Sequence, residues 1–118
     1  MKINVYVDGS GGENSGYGFL VKETGESFYE KKPNLTNNQA EYLAIITALK
    51  KFVNLEDEII IYSDSKNTVN QLNHEFAINN EKLRELAQES WSLMGKFSNL
   101  TVTWVPRKEN LAGKMMGS

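Results

Sequence analysis

Residues 2–8 alternate, with Ile3, Val5 and Val7 set against Asn4 and Tyr6, the two-residue period of a strand with one buried face. The glycine-rich segment GSGG at 9–12 predicts a turn at its end. Beyond it, GYGFLVKE at 16–23 and SFYEKK at 27–32 flank Thr24 and Gly25, a hairpin pattern that adds two antiparallel strands to the first. After Pro33 the period changes. NLTNNQAEYLAIITALKKF carries Ala40, Leu43, Ala44 and Ala48 on one side and Ile45, Ile46 and Leu49 on another, the wide apolar stripe of a largely buried helix reaching about Phe52. Asn38 with Glu41 three residues on matches a capping box at its start.

EDEIIIYSD at 56–64 is almost continuously apolar, as expected of a central strand covered on both faces, and SKNTVNQL then predicts a short helix. NEKLRELAQESWSLMGKF places Leu83, Leu86, Ala87, Trp91 and Met94 at helical spacing. Gly95 and Asn99 stop that helix before the last strand, LTVTWVP, and an irregular tail follows. Trp91 and Trp104 both fall on apolar faces and read as core. The order βββαβαβ implies an α/β fold with a mixed five-stranded sheet, three antiparallel strands and then two parallel ones reached by crossovers, flanked by helices.

A chain of 118 residues suits a single domain, 1–118, with one core. Its 40% hydrophobic and 24% charged content is ordinary for a globular protein, and its longest apolar runs, such as LAII and IIIY, are too short to cross a bilayer. MKINVYVDG leads straight into a strand without the pattern of a secretory signal, so a cytoplasmic monomer is expected. The absence of cysteine excludes disulfides, thiolate metal sites and a cysteine nucleophile. Any metal must therefore sit on oxygen or on His74, which reads as an exposed residue at a helix end. A net charge of −2 gives no global basic field, so contact with a polyanion would rest on local groups and cations.

Three acidic residues stand where elements begin or end: Asp8 near the end of the first strand, Glu41 in the first turn of the buried helix, and Asp64 after EIIIYS. Singly, each has an ordinary structural reading as a turn residue, a capping-box partner or a helix cap. Jointly they would bring three carboxylates to one end of a sheet. Such a group repels itself unless a cation neutralises it, and hard oxygen donors suit Mg²⁺ or Mn²⁺.

Written as VDGSG, TNNQAEY and IYSDS, this constellation resembles the type 1 ribonuclease H family over nearly the whole chain, with TNNQAEY the most specific part. The resemblance implies a ribonuclease H-like fold and endonucleolytic cleavage of the RNA strand of RNA/DNA hybrids with two Mg²⁺ or Mn²⁺ ions, Asp8 bridging them, Asp64 on one and Glu41 on the other. Thr36, Asn37, Asn38 and Gln39 match the family's loop for reading 2′-hydroxyls and base edges in the minor groove. Gly9, Ser10, Gly11 and Gly12 would let backbone approach the RNA strand, and Asn37, Ser65 and Thr68 would form a small phosphate pocket.

The departures are specific. The family usually places a fourth metal-ligating Asp near the start of its last helix, yet no Asp follows Asp64 in this chain. Asn110 is the expected replacement through its amide oxygen, with Glu109 as the rival. The eight residues after Asn110 are too few for the family's usual C-terminal helix, and residues 98–110, where many members carry a histidine, contain none. In place of a basic, Trp-bearing protrusion stands QLNHEFAINNEKL, so grip on the DNA strand is expected to be weak, supported by Lys66, Lys82 and Arg84. Arg107 and Lys108 suit either backbone contact or a solvated pair. Two rival readings share the fold: a module that binds hybrid or duplex RNA with little or no catalysis, and a DNA-cutting enzyme of the wider superfamily.

Overall fold

In the computed structural model, which describes residues 1–115, five strands form one sheet in the order β3-β2-β1-β4-β5. Strands β1 (Lys2–Ser10), β2 (Gly16–Val21) and β3 (Ser27–Lys31) make an antiparallel meander. Helix α1 (Asn37–Phe52) crosses to β4 (Glu58–Ser63), which lies parallel to β1; α2 (Lys66–Leu72) and α3 (Glu81–Met94) lead to β5 (Leu100–Trp104), parallel to β4. The mixed sheet expected from the chain's periodicity is the one observed.

The two-residue period decides which face is sealed. Val5, Val7, Phe19, Val21, Ile59, Ile61 and Val102 are buried and form the core with Ala44, Ile45, Ala48 and Leu49 of α1. Helix α1 packs against both the sheet and α3, which is why its apolar surface is so broad. On the opposite face Tyr6, Leu20, Ile60 and Tyr62 are half-buried, with Tyr6 stacked on Tyr62 at 4.6 Å between ring centroids. Strand β4 is therefore not sealed on both faces. Its continuous apolar run arises because Ile60 and Tyr62 join this partly covered aromatic layer.

Three local details differ from the sequence reading. The cap of α1 is Thr36, not Asn38: Thr36 Oγ1 accepts from the Gln39 amide at 3.1 Å, while Gln39 Oε1 accepts from the Thr36 amide at 3.0 Å. Glu41 is thereby released from any capping role. The tail is not irregular, since a 3-10 turn at Arg107–Glu109 precedes a short helix, α4 (Leu111–Met115), packed against β1 and β2. Strand β1 also runs past Asp8 to Ser10.

That last extension brings β1 hard against α1. A Cβ built at Gly9 would lie 2.5 Å from Ala40 O and 2.7 Å from Glu41 N, closer than side-chain carbons approach backbone. Gly95, by contrast, sits in the right-handed helical region with φ −64° and has room for a methyl, its nearest neighbour being Trp91 O at 3.5 Å. Gly9→Ala should lower stability by about 1–3 kcal/mol through overpacking. Gly95→Ala should be neutral or mildly stabilising. Urea unfolding of the two variants tests the difference; equal midpoints would show that the β1–α1 approach is loose.

Candidate active site

Asp8, Glu41 and Asp64 come from β1, α1 and the end of β4, and each offers a carboxylate oxygen within 4.8 Å of the others. Among the described residues this is the group of acidic side chains that could hold a metal ion. Register explains the convergence: β1 and β4 are parallel neighbours, with Val7 opposite Ser63, so Asp8 and Asp64 leave the same end of the sheet together. The Gly9 contact carries the first turns of α1, and with them Glu41, to that end.

The surroundings disfavour charge on Glu41. It is only 7% exposed, and Oε1 has no hydrogen-bond partner. Burial first, then the neighbouring Asp8 and Asp64 carboxylates, pushes its pKa up to about 9, against the smaller opposing pull of the Gly9 amide and Arg107. A buried carboxylate oxygen without a donor beside two more acidic groups is a poor arrangement for the protein alone. It suits a hard cation, so the donor set fits Mg²⁺ or Mn²⁺.

An open cleft of about 340 Å³ lies over the group, lined by Gly9, Ser10, Asn37, Asn38, Glu41, Asp64, Ser65 and Arg107. Asn37 is exposed, and its Oδ1 accepts from the Gly11 amide at 2.7 Å, which ties the glycine segment to the start of α1 and leaves Nδ2 available to donate. Ser65 caps α2 and hydrogen-bonds Thr68 Oγ1 at 2.8 Å. Arg107 Nη1 stands 3.9 Å from Asp64 Oδ2.

Several expected site residues sit elsewhere. Thr36 and Gln39 spend their side-chain oxygens on the α1 cap. Thr68 is fully buried behind Ser65, where it supports the pocket wall. Gly12 faces open space, and Gly11 is pressed against the start of α1, its Cβ position lying 2.6 Å from Thr36 C; Gly9 does line the cleft, but its other side abuts the α1 backbone. Glu109 is exposed on the 3-10 turn and outside the carboxylate group.

Asn110 is completely buried and does not turn its amide oxygen toward the carboxylates, as its expected role as a ligand required. Oδ1 accepts from the Ala112 and Gly113 amides at 3.0 and 3.4 Å, and Nδ2 donates to Val7 O at 2.9 Å and to Asp64 Oδ2 at 3.0 Å. The backbone donors of α4 claim the atom that was to bind the cation.

Trp104 is not a core residue. It is 41% exposed, donates from Nε1 to the Asp64 carbonyl at 3.2 Å and lies beneath Lys66 Nζ at 5.0 Å. Its apolar neighbours in sequence hid its position on an edge strand. Trp91 packs against the core, stacked on His74 and donating to Leu72 O.

A mixed sheet of this order with three acidic groups at the shared end of β1 and β4 defines a ribonuclease H-like protein. A family model described as reverse transcriptase-like matches residues 15–116, and the chain belongs to that ribonuclease H-like family. It is 30% identical to EbsB of Enterococcus faecalis, a protein that carries the name of a hydrolase, over 97% of this chain and 90% of that one. It is 31% identical to ribonuclease HI of Halobacterium salinarum over 92% of this chain, which spans 59% of that relative's length. The crystal structure of the ribonuclease H1 from that archaeon superimposes with a TM-score of 0.84 at 28% identity, covering 93% of this chain and 89% of the other. The N-terminal ribonuclease H domain of a Mycobacterium tuberculosis protein gives 0.83 at 28% identity, covering 93% and 91%.

The Glu41 environment carries a pH signature. With a folded-state pKa near 9 against 4.5 ordinarily, the cation-free folded protein keeps a proton that the unfolded chain has released. Its contribution to stability is full below pH 4.5, declines as pH rises and is lost by about pH 9. In chelator, the melting temperature of wild type should fall across that window, and Glu41→Gln should flatten the fall. Parallel melting curves for the two proteins would contradict the burial argument.

Proposed function

We propose that this protein is a metal-dependent endoribonuclease that cleaves the RNA strand of RNA/DNA hybrids. The observation that carries the reading is the meeting of Asp8, Glu41 and Asp64 within 4.8 Å beneath an amide-lined cleft. These three residues would hold two Mg²⁺ or Mn²⁺ ions. When bound, such ions supply an activated water and neutralise charge at the leaving oxygen.

The chain's own groups do the remaining work. Asn37 and Asn38 present amides to the cleft, suited to 2′-hydroxyls and to base edges read without strong sequence preference. Ser10 and Ser65 offer hydroxyls, and Arg107 brings a positive charge to the rim, where a phosphate backbone would pass. Rigid element ends hold the carboxylates, and the capping box of α1 fixes the first helical turn that carries Asn37 and Asn38. We further propose that the protein acts as a cytoplasmic monomer; no helix among the described residues is long and apolar enough to cross a membrane.

Binding of hybrid or duplex RNA without cleavage is the second reading. It is favoured by one observation, that no fourth carboxylate joins the group among the described residues. Labelled RNA/DNA hybrid, single-stranded RNA, duplex RNA and duplex DNA, each with Mg²⁺, Mn²⁺ or chelator, separate the two. Cutting confined to the hybrid and abolished by chelator is expected. Asp8→Asn should reduce the rate at least about 100-fold while leaving the melting temperature unchanged or higher, since it removes a repelling charge. Retained hybrid binding with intact substrate under every metal condition would leave only the binding module.

A further inference from the structure

We propose that the position facing the carboxylate group from α4 is residue 113, where this chain carries glycine, and that Asn110 is a positioning residue for Asp64 and not a cation ligand. The proposal rests on the metal-binding reading above.

The orientation of Asn110 is fixed by its four neighbours. Two backbone N–H groups, of Ala112 and Gly113, point at Oδ1, and two acceptors, Val7 O and Asp64 Oδ2, face Nδ2. Reversing the amide would set donors against donors and acceptors against acceptors at all four contacts. Asn110 therefore joins three parts of the molecule: the start of α4, the end of β1, and the carboxylate of Asp64. It acts on the site through Asp64.

Gly113 stands one helical step further on and is buried. A Cβ built there has Asp8 Oδ2 as its nearest neighbour, at 3.4 Å, followed by Asn110 Cβ at 3.9 Å. These are ordinary van der Waals separations, so a side chain fits. The backbone does not demand glycine either, because the glycines with positive φ are Gly12 and Gly25. A side chain at 113 would thus grow alongside the Asp8 carboxylate, in the direction of the group it belongs to. Independently, Oε1 of Glu41 is buried without a hydrogen-bond partner, a place in the group that a cation would satisfy. Among the described residues, position 113 accordingly contributes space and no charge to the group. A cation there would have three carboxylates from the described residues, with further coordination open to water or to the substrate's phosphate oxygens.

Calorimetric titration of the full chain with Mn²⁺, together with thermal melting in chelator and in Mn²⁺, tests both halves. Gly113→Asp should bind Mn²⁺ about tenfold more tightly than wild type, because affinity follows the number of charged oxygen ligands. It should also melt lower in chelator and gain more from Mn²⁺. Gly113→Ala, which fills the space without adding a ligand, should leave affinity unchanged. Asn110→Asp should melt lower in chelator, with a carboxylate facing Val7 O and Asp64, and should not tighten binding. Asn110→Ala should weaken Mn²⁺ binding at temperatures where it remains folded, whereas a purely structural residue would lower only the melting temperature.

Tighter binding by Asn110→Asp with none by Gly113→Asp would overturn the proposal, as would unaltered affinity in folded Asn110→Ala. If wild type binds Mn²⁺ and Gly113→Asp brings no gain, this inference falls and the metal reading stands. If neither wild type nor Gly113→Asp binds Mn²⁺, both fall together.

Discussion

Close backbone contact between the end of β1 and the beginning of α1 sets the chemistry of this protein. Gly9 leaves no space between its Cα and the Ala40–Glu41 peptide, so the helix start is pressed onto the strand that carries Asp8. Parallel pairing of β1 with β4 brings Asp64 to the same place. Three carboxylates are then held together by packing that has nothing to do with their charges. The hydrophobic core beneath, in which Val5, Val7, Ile45, Leu49, Ile59 and Ile61 are all fully buried, makes that placement affordable despite the repulsion.

The polar segment at the start of α1 has a divided task under this constraint. Thr36 and Gln39 satisfy the first amides of the helix reciprocally, so the helix start needs nothing from Glu41. Asn37 ties down Gly11, and Asn38 lines the cleft. A loop that reads as uniformly polar in sequence thus separates into residues that build the helix start and residues that meet a ligand. The same division recurs at α2, where Ser65 lines the cleft while Thr68, fully buried, supports it from behind.

Much of this was legible in the sequence because period-two and helical patterns constrain burial strongly, and Asp8, Glu41 and Asp64 stand at the ends of patterned elements. What escaped depended on three-dimensional competition for the same atoms. Asn38 and Thr36 are both good caps, and only the phase of the α1 backbone chooses between them. Trp104 follows an apolar alternation, yet it sits on the outermost strand, where burial on one face is incomplete. Asn110 stands out in the sequence for its chemistry, whereas the short helix after it, in a segment with little apolar periodicity, claims its oxygen. Gly113 has no side chain to attract notice; its significance lies in what a Cβ would meet.

The chemistry of the Asn110 site follows from what an amide can do that a carboxylate cannot. Its environment needs one face that accepts, toward the α4 amides, and one that donates, toward Val7 O and Asp64 Oδ2. An amide meets both demands without charge, and its donation to Asp64 stabilises that carboxylate where it stands. A carboxylate at the same place would cap α4 equally well but would confront two acceptors, Val7 O and Asp64 Oδ2, and add a charge beside Asp64. The order of the last residues therefore has a physical logic: the neutral amide comes first, where the chain must hold Asp64, and the position that looks onto Asp8 comes three residues later, where any added charge would enter the carboxylate group directly.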